Sequence, residues 1–308
     1  MKEFAFQWHL THLCNLRCRH CYQDDFTEKD DLSTKVIQDI INKISSELSD
    51  YEIQINLTGG EPFLREDIFE IMEYVDRIEN ITGYNIITNG LVIKEDYIEK
   101  MNQMCKLKEI KISLEHSNSI INDRVRGKNS FDRCIANFSI LKRMLKKKIV
   151  LMYTVAKYNY RDIVNFRQGE SGLLDFAEEV EADAVILERF IPLGRGKLLM
   201  EHCLNEEEWR EVIKGIIIFA GLNIDEKELI DYRAFYIELG NAINVRGAVC
   251  NIGEGTMALM PNGDIYPCRR LPKKIGNILH NNIREIMPLS ASLKDEKSCS
   301  ALKCAVSL

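Results

Sequence analysis

The sequence lacks the features that mark nucleic-acid-binding, secreted and membrane proteins. Its 308 residues carry 41 Lys and Arg against 47 Asp and Glu, and this net charge of −6 provides no basic surface for nucleic acid. The longest apolar run, around residues 216–222, is far too short to cross a bilayer, and residues 1–10 do not resemble a signal peptide. We therefore expect a cytoplasmic protein with no nucleic-acid or membrane partner.

Linkers and repeats are also missing. Only six prolines occur, and no Pro/Gly-rich stretch or low-complexity segment divides the chain. Cysteine, in contrast, is abundant, with ten residues. In a reducing cytosol that number indicates metal binding or redox chemistry rather than disulfides. Three cysteines lie within residues 14–21 and four lie between residues 250 and 304, so two separate cysteine sites are expected.

Strand-like and helix-like stretches alternate over the first 219 residues. The strand patterns are at 4–9, 53–57, 84–88, 110–114, 149–155 and 184–189. The helical patterns are at 33–48, 65–78, 95–104, 131–146, 162–180 and 206–219. Six β–α units predict an α/β fold with a parallel sheet that curves into a partial or full barrel. In such a fold the active-site groups occupy the loops that follow the strands.

The alternation stops near residue 221. Residues 222–241 suggest a further helix, and residues 256–268 read as a hairpin with Pro-Asn-Gly-Asp at its turn. We therefore divide the chain into a barrel core, residues 1–215, and a small C-terminal domain, residues 216–308.

The first cysteine group, Cys14, Cys18 and Cys21, has C-x3-C-x2-C spacing in the loop after the first strand. Three thiolates can ligate three irons of a [4Fe–4S] cube and leave the fourth iron open to a small molecule. A zinc site, with His12 or His20 as a further ligand, is an alternative, as are three unrelated core cysteines. The spacing by itself favours the cluster.

A second motif, Thr58-Gly59-Gly60-Glu61-Pro62, follows the second strand. Its glycines allow backbone groups to approach a ligand closely. In spacing, order and placement after strands, the two motifs resemble those of the radical S-adenosylmethionine (SAM) superfamily, and the resemblance spans about residues 4–200. It implies a partial (β/α)6 barrel of the radical SAM type.

The resemblance also implies cofactors and roles. Cys14, Cys18 and Cys21 would hold the cluster, and SAM would chelate its open iron. Contacts to SAM are implied for Gly59, Gly60 and Glu61 (amino group), Ser113 (ribose and carboxylate) and Arg124. One electron from a reductant such as flavodoxin or ferredoxin would cleave SAM to methionine and a 5′-deoxyadenosyl radical, which abstracts hydrogen from the substrate. His20 stands where many members have an aromatic residue near the adenine.

The second cysteine group resembles the auxiliary-cluster extensions called SPASM and twitch. A complete SPASM extension has seven cysteines, whereas this chain has four: Cys250, Cys268, Cys299 and Cys304. We therefore expect one auxiliary [4Fe–4S] cluster with four cysteine ligands. In the alternative, Cys299 or Cys304 is not a ligand, and the last position is open to substrate or to a partner.

Relatives with this extension mostly modify ribosomally made peptides, so maturation of such a peptide is our first hypothesis. Radical modification of a small molecule or a tetrapyrrole precursor is the alternative. A non-catalytic iron–sulfur carrier is disfavoured, since a carrier needs neither an open iron nor a site for the SAM amino group. Because the first strand begins about four residues from the start, we expect a separate recognition protein or the barrel mouth to capture a peptide.

Overall fold

The computed structural model describes residues 2–164, 172–294 and 299. In these residues eleven strands form one sheet, in the order β11-β10-β9-β1-β2-β3-β4-β5-β6-β7-β8. The strands are β1 (Lys2–His9), β2 (Tyr51–Thr58), β3 (Ile81–Thr88), β4 (Leu107–Ser113), β5 (Lys148–Val155), β6 (Ala184–Arg189), β7 (Ala234–Glu238), β8 (Asn244–Ala248), β9 (Thr256–Leu259), β10 (Asp264–Tyr266) and β11 (Gly276–Asn277). The sheet is open, with β11 and β8 at its two ends.

Strands β1 to β6 are parallel, and helices connect them. The helices are α1 (Thr34–Glu47), α2 (Ile68–Arg77), α3 (Glu95–Gln103), α4 (Ser119–Arg126), α5 (Ser130–Met144), α6 (Tyr160–Val164), α7 (Leu173–Glu179), α8 (Glu206–Phe219) and α9 (Ile283–Ala291). The predicted α/β fold with a partial six-stranded parallel barrel is confirmed. Among the described residues no helix is both long and apolar enough to cross a membrane.

The two faces of the sheet have different surroundings: one packs against helices, and the other lines cavities. In β2 the side chains of Ile53, Ile55 and Leu57 are buried, and they pack with the apolar stripe of α1 in the main core. The alternate residue Asn56 points to the other face, because successive side chains of a strand point in opposite directions. That concave face and the loops at the carboxyl ends of the strands form the cavities described below.

Three local predictions differ from the structure. An additional helix, α4, stands between β4 and α5, and Asn118 caps it by accepting hydrogen bonds from two backbone N–H groups. The single helix predicted over residues 162–180 is represented by α6 and α7; residues 165–171 lie outside the described residues. The further helix expected within residues 222–241 was wrong. Phe235 and Ile237 are buried with a period of two, and β7 pairs antiparallel with β6.

The predicted hairpin is confirmed as β9 and β10, with Gly263 at a φ of +82° in the turn. Strand β9 pairs in parallel with β1, so this hairpin extends one edge of the sheet, while β7 and β8 extend the other. The boundary after residue 215 remains a prediction.

Candidate functional site

Backbone hydrogen bonds hold the first cysteine loop against the end of β2. They continue the pairing of β1 with β2 beyond the ends of these two strands. The N–H groups of Gly60 and Glu61 donate to the carbonyl groups of Thr11 and Leu13, each at 2.8 Å. A Cβ atom at Gly60 would lie 2.2 Å from the Leu13 carbonyl oxygen, and one at Gly59 would lie 2.3 Å from that of Thr11. Both glycines are therefore needed for the chain to cross here on its way to the cysteines.

Cys14, Cys18 and Cys21 line a single cavity at the carboxyl ends of the strands, which we call the first cavity. Its walls also include Gly59, Gly60, Ser113, Glu115 and Arg126. Six of the predicted site residues are thus brought together: the three cysteines, the two glycines and Ser113. His20, which was expected near the adenine, lines the same cavity.

The three thiols are largely removed from water. Burial raises the pKa of Cys14 to about 11 and that of Cys21 to about 12, and burial also raises the pKa of Cys18. Without a metal the thiols are therefore protonated at neutral pH. Metal binding would have to displace these protons, since the thiolate is the ligand.

Three cysteine thiols form the donor set of the first cavity. Zinc–sulfur bonds of about 2.3 Å place the thiolates on one tetrahedral zinc roughly 3.8 Å apart. Among the described residues no group of three or more His, Cys, Asp or Glu side chains is arranged to hold a metal ion. A cube binds each thiolate through a different iron, so three cysteines that line one cavity are a donor set that fits it.

Glu61 does not line the first cavity, in contrast to the expectation that it contacts SAM. Its carboxylate is fully buried and accepts hydrogen bonds from Phe63 N at 3.2 Å, Thr88 Oγ1 at 2.8 Å and Asn89 N at 2.7 Å. Burial raises the pKa of Glu61 to about 7, although these donors favour the ionised form. The carboxylate therefore ties the loop after β3 to the loop after β2.

Arg124 also lies outside the first cavity: its side chain is exposed. Residues two apart on a helix point about 200° apart, and on α4 it is Arg126 that is buried and lines the cavity. Arg126 Nη1 lies 3.1 Å from Glu115 Oε1, which is 3.2 Å from His20 Nε2. Glu115 is thus a buried partner of two other residues that line the cavity.

Three cysteines of the second group pack together. Cys250, Cys268 and Cys299 belong to one apolar cluster with Ile191 and Leu193, two residues that also line the first cavity. Cys268 Sγ accepts a hydrogen bond from Arg270 N at 3.4 Å. Cys304 lies outside the described residues. The two cysteine sites are therefore neighbours that share walls.

Comparison with known families agrees with this geometry. A family model described as the radical SAM superfamily matches residues 8–168, more than half of the chain. The chain belongs to the radical SAM superfamily. Its cofactors are accordingly a [4Fe–4S] cluster and SAM, and the resemblance drawn from the sequence motifs is confirmed. A second model, SPASM, described as an iron-sulfur cluster-binding domain, matches residues 250–304 and indicates auxiliary iron–sulfur binding.

Named relatives share both segments. The chain is 28% identical over 306 residues to mycofactocin maturase MftC of Mycolicibacterium smegmatis, covering 96% of this chain and 73% of that protein. It is 25% identical to the antilisterial bacteriocin subtilosin biosynthesis protein AlbA of Bacillus subtilis, covering 92% and 60%. In fold it resembles Streptococcus suis SuiB bound to precursor peptide SuiA, with a TM-score of 0.69, 18% identity and coverage of 98% and 70%.

A charged cluster that the sequence patterns did not reveal lies beside the first cavity of this radical SAM enzyme. Glu188, at the end of β6, is surrounded by Arg233, Arg269 and Arg270. Burial alone would raise the pKa of Glu188, but the three arginines hold it at about 2. In the sequence, the indication of this cluster is the Arg269-Arg270 pair directly after Cys268.

A second cavity of about 510 Å³ opens on the concave face of the sheet. It shares four lining residues with the first cavity: Ile87, Met152, Glu188 and Arg269. Its remaining walls come from β1, β2, β4 and the strands β6 to β8, including Lys111, Ile186 and Phe235. The two cavities are therefore adjacent, with the charged cluster between them.

Proposed function

We propose that this enzyme reductively cleaves SAM at a cluster held by Cys14, Cys18 and Cys21, and that it abstracts hydrogen from a ribosomally made peptide during that peptide's maturation. The observation that carries the proposal is the shared cavity, in which the three cysteines meet the Gly59–Gly60 turn and Ser113. The cluster with SAM, when bound, supplies a 5′-deoxyadenosyl radical for hydrogen abstraction.

In this proposal the chain's own residues bind, orient and shield the cofactors. The three thiolates would hold the cluster, and the Gly59–Gly60 backbone, which lines the same cavity, would bind the SAM amino group. Ser113 and Arg126 lie in the same cavity and supply a hydroxyl and a guanidinium group for the ribose and carboxylate. Arg126 replaces Arg124, which is exposed, in this role.

For the C-terminal segment we propose one auxiliary [4Fe–4S] cluster, ligated by Cys250, Cys268, Cys299 and Cys304. The packing of the first three in one apolar cluster and the family match that ends at residue 304 support it. Four cysteines suffice for one cube and not for two.

Three observations favour a peptide as the substrate. The similar proteins include a mycofactocin maturase and a bacteriocin biosynthesis protein, and the similar fold of SuiB is described with its precursor peptide. The second cavity also provides space next to the SAM site. A reductant such as flavodoxin or ferredoxin would deliver the electron, and a separate recognition protein or the barrel mouth would present the peptide.

The test is an anaerobic assay of the reconstituted enzyme with SAM, a chemical reductant and the short peptides encoded beside its gene. We expect 5′-deoxyadenosine together with a mass change in one of these peptides. Formation of 5′-deoxyadenosine with every peptide unchanged, and with a tetrapyrrole modified instead, would replace the peptide hypothesis by the small-molecule alternative.

A further inference from the structure

The charged cluster around Glu188 is a candidate for a second binding function. Arg233 Nη1 lies 3.3 Å from Glu188 Oε1, Arg270 Nη1 lies 3.5 Å from the same oxygen, and Arg269 Nη2 donates to Oε2. Glu188 and Arg270 are buried, with 7% and 6% of their surfaces exposed. One carboxylate thus faces three guanidinium groups inside the protein.

The other side chains that line the second cavity do not balance this surplus of positive charge. Three cationic side chains of the second cavity, Lys111, Arg233 and Arg269, stand against two anionic ones, Glu109 and Glu188, while a fourth cation, Arg246, is exposed and lies 3.9 Å from Glu238. Glu109 is itself engaged, with Oε2 at 3.4 Å from Lys111 Nζ and Oε1 accepting from the Tyr236 hydroxyl at 2.7 Å. Uncompensated buried charge is costly, so a site of this kind favours an anion.

One donor in the cluster is free to take a new acceptor. Arg270 Nη1 is buried and makes no hydrogen bond, since its distance to Glu188 is that of an ion pair with poor hydrogen-bond geometry. Arg270 lines the first cavity, and Arg269 lines both the first and the second. A guanidinium plane offers paired N–H groups that match the two oxygens of a carboxylate.

We propose that Arg269, with Arg233 and Arg270, binds a carboxylate of the substrate at the boundary between the two cavities. This proposal rests on the proposed function and names a chemical group of its substrate. The second cavity presents Ile186 and the ring of Tyr236 beside the arginines, so the carboxylate belongs to an apolar or aromatic residue, such as one at the end of a peptide. There the substrate would be anchored next to the SAM site.

The test uses the SAM-loaded holoenzyme and two probes that differ in one charge, N-acetylphenylalanine and its amide. In calorimetric titrations we expect the acid to bind at least tenfold more tightly than the amide. Arg269→Gln should weaken binding of the acid by about tenfold or more, the scale of one lost charge-assisted contact, and leave the amide unchanged. Arg77→Gln, at an exposed arginine of α2 outside both cavities, is the matched control and should change neither.

A second variant should change the affinity for the acid in the opposite direction. Glu188→Gln removes the one carboxylate among the three arginines, so the acid should bind more tightly than it does to wild type. If Arg269→Gln fails to fold, Arg269→Lys keeps the charge and should retain the preference for the acid at lower affinity. Equal binding of acid and amide, binding of neither at millimolar concentration, or weaker acid binding in Glu188→Gln would overturn the proposal.

SAM also carries a carboxylate, and a separate measurement distinguishes binding of the substrate carboxylate from binding of the SAM carboxylate. SAM affinity should be the same in wild type and Arg269→Gln; a loss confined to SAM would assign the arginines to the cofactor and overturn the proposal. Release of 5′-deoxyadenosine by wild type without substrate reports on the proposed function independently. Its absence would count against the radical chemistry, whereas the acid–amide comparison would still decide the carboxylate site.

Discussion

Glu61 Oε2 accepts a hydrogen bond from the backbone N–H of Asn89 at 2.7 Å, so a carboxylate after β2 fixes the loop after β3. The Asn89 side chain in turn lies 3.9 Å from Cys14 Sγ and donates to Asn15 Oδ1 at 2.7 Å. Glu61 therefore acts on the cysteine loop through Asn89. Its carboxylate does not line the cavity that the cysteines share, so we infer a positioning role for Glu61.

Glu61→Ala should lower the free energy of unfolding by about 3 kcal/mol or more, because three hydrogen bonds to a buried carboxylate are lost and their donors are left without an acceptor. Urea unfolding of the apo-protein measures this free energy of unfolding. Glu66→Ala, at an exposed neighbour, is the control and should change stability little. Equal stability of the two variants would contradict the positioning role.

Arg126→Gln should weaken SAM binding to the reconstituted enzyme by about tenfold, since a charge-assisted contact to the ligand is lost. Arg124→Gln, two residues earlier on α4 and exposed, should bind SAM as wild type does. Equilibrium binding of SAM with iron content measured in parallel tests this pair. A selective loss in Arg124→Gln would restore the sequence-based assignment.

The Glu188 cluster predicts a pH dependence of stability. The pKa of Glu188 is about 2 in the folded protein, against a usual value of 4.5, so its contribution is complete above pH 4.5 and is lost as the pH falls toward 2. The shift corresponds to about 3 kcal/mol. The stability difference between wild-type and Glu188→Gln apo-protein should shrink over this range. A constant difference would show that Glu188 is not held ionised.

Cys268→Ala should lose the auxiliary cluster, about four irons per chain, and destabilise the C-terminal segment, because metal-binding energy there is folding energy. SAM cleavage without substrate should persist. Cys203→Ala is the control: Cys203 packs with Ala156, Phe190 and Leu199 and is not part of the C-terminal cysteine cluster. Iron content that is the same in both variants would exclude Cys268 as a ligand.

Much of the fold could be predicted from the sequence because its signals are local. The period-two burial of Ile53, Ile55 and Leu57 and the stripe on α1 predict a strand packed on a helix. The strand β7 was missed because it is short and one of its partners, β6, lies about 50 residues earlier in the chain. Pairing at that distance leaves no mark in the local pattern.

Within the candidate site, motif spacing predicted cysteines and glycines that the structure brings to one cavity, but it could not give side-chain direction. Glu61 and Arg124 occupy motif positions. However, the carboxylate of Glu61 is bonded to the loop after β3, and the side chain of Arg124 is exposed. The Glu188 cluster was missed for a different reason. Its four members come from three separate segments, and only the folded sheet brings them together.

We propose that Cys14, Cys18 and Cys21 hold the cluster at which SAM is cleaved. The most direct measurement is the iron content and the 5′-deoxyadenosine released by the triple variant, with all three cysteines changed to Ala, after anaerobic reconstitution. We expect wild type to hold about eight irons, two cubes of four, and the variant to keep about four and release no 5′-deoxyadenosine. Continued release of 5′-deoxyadenosine by the variant would contradict the account.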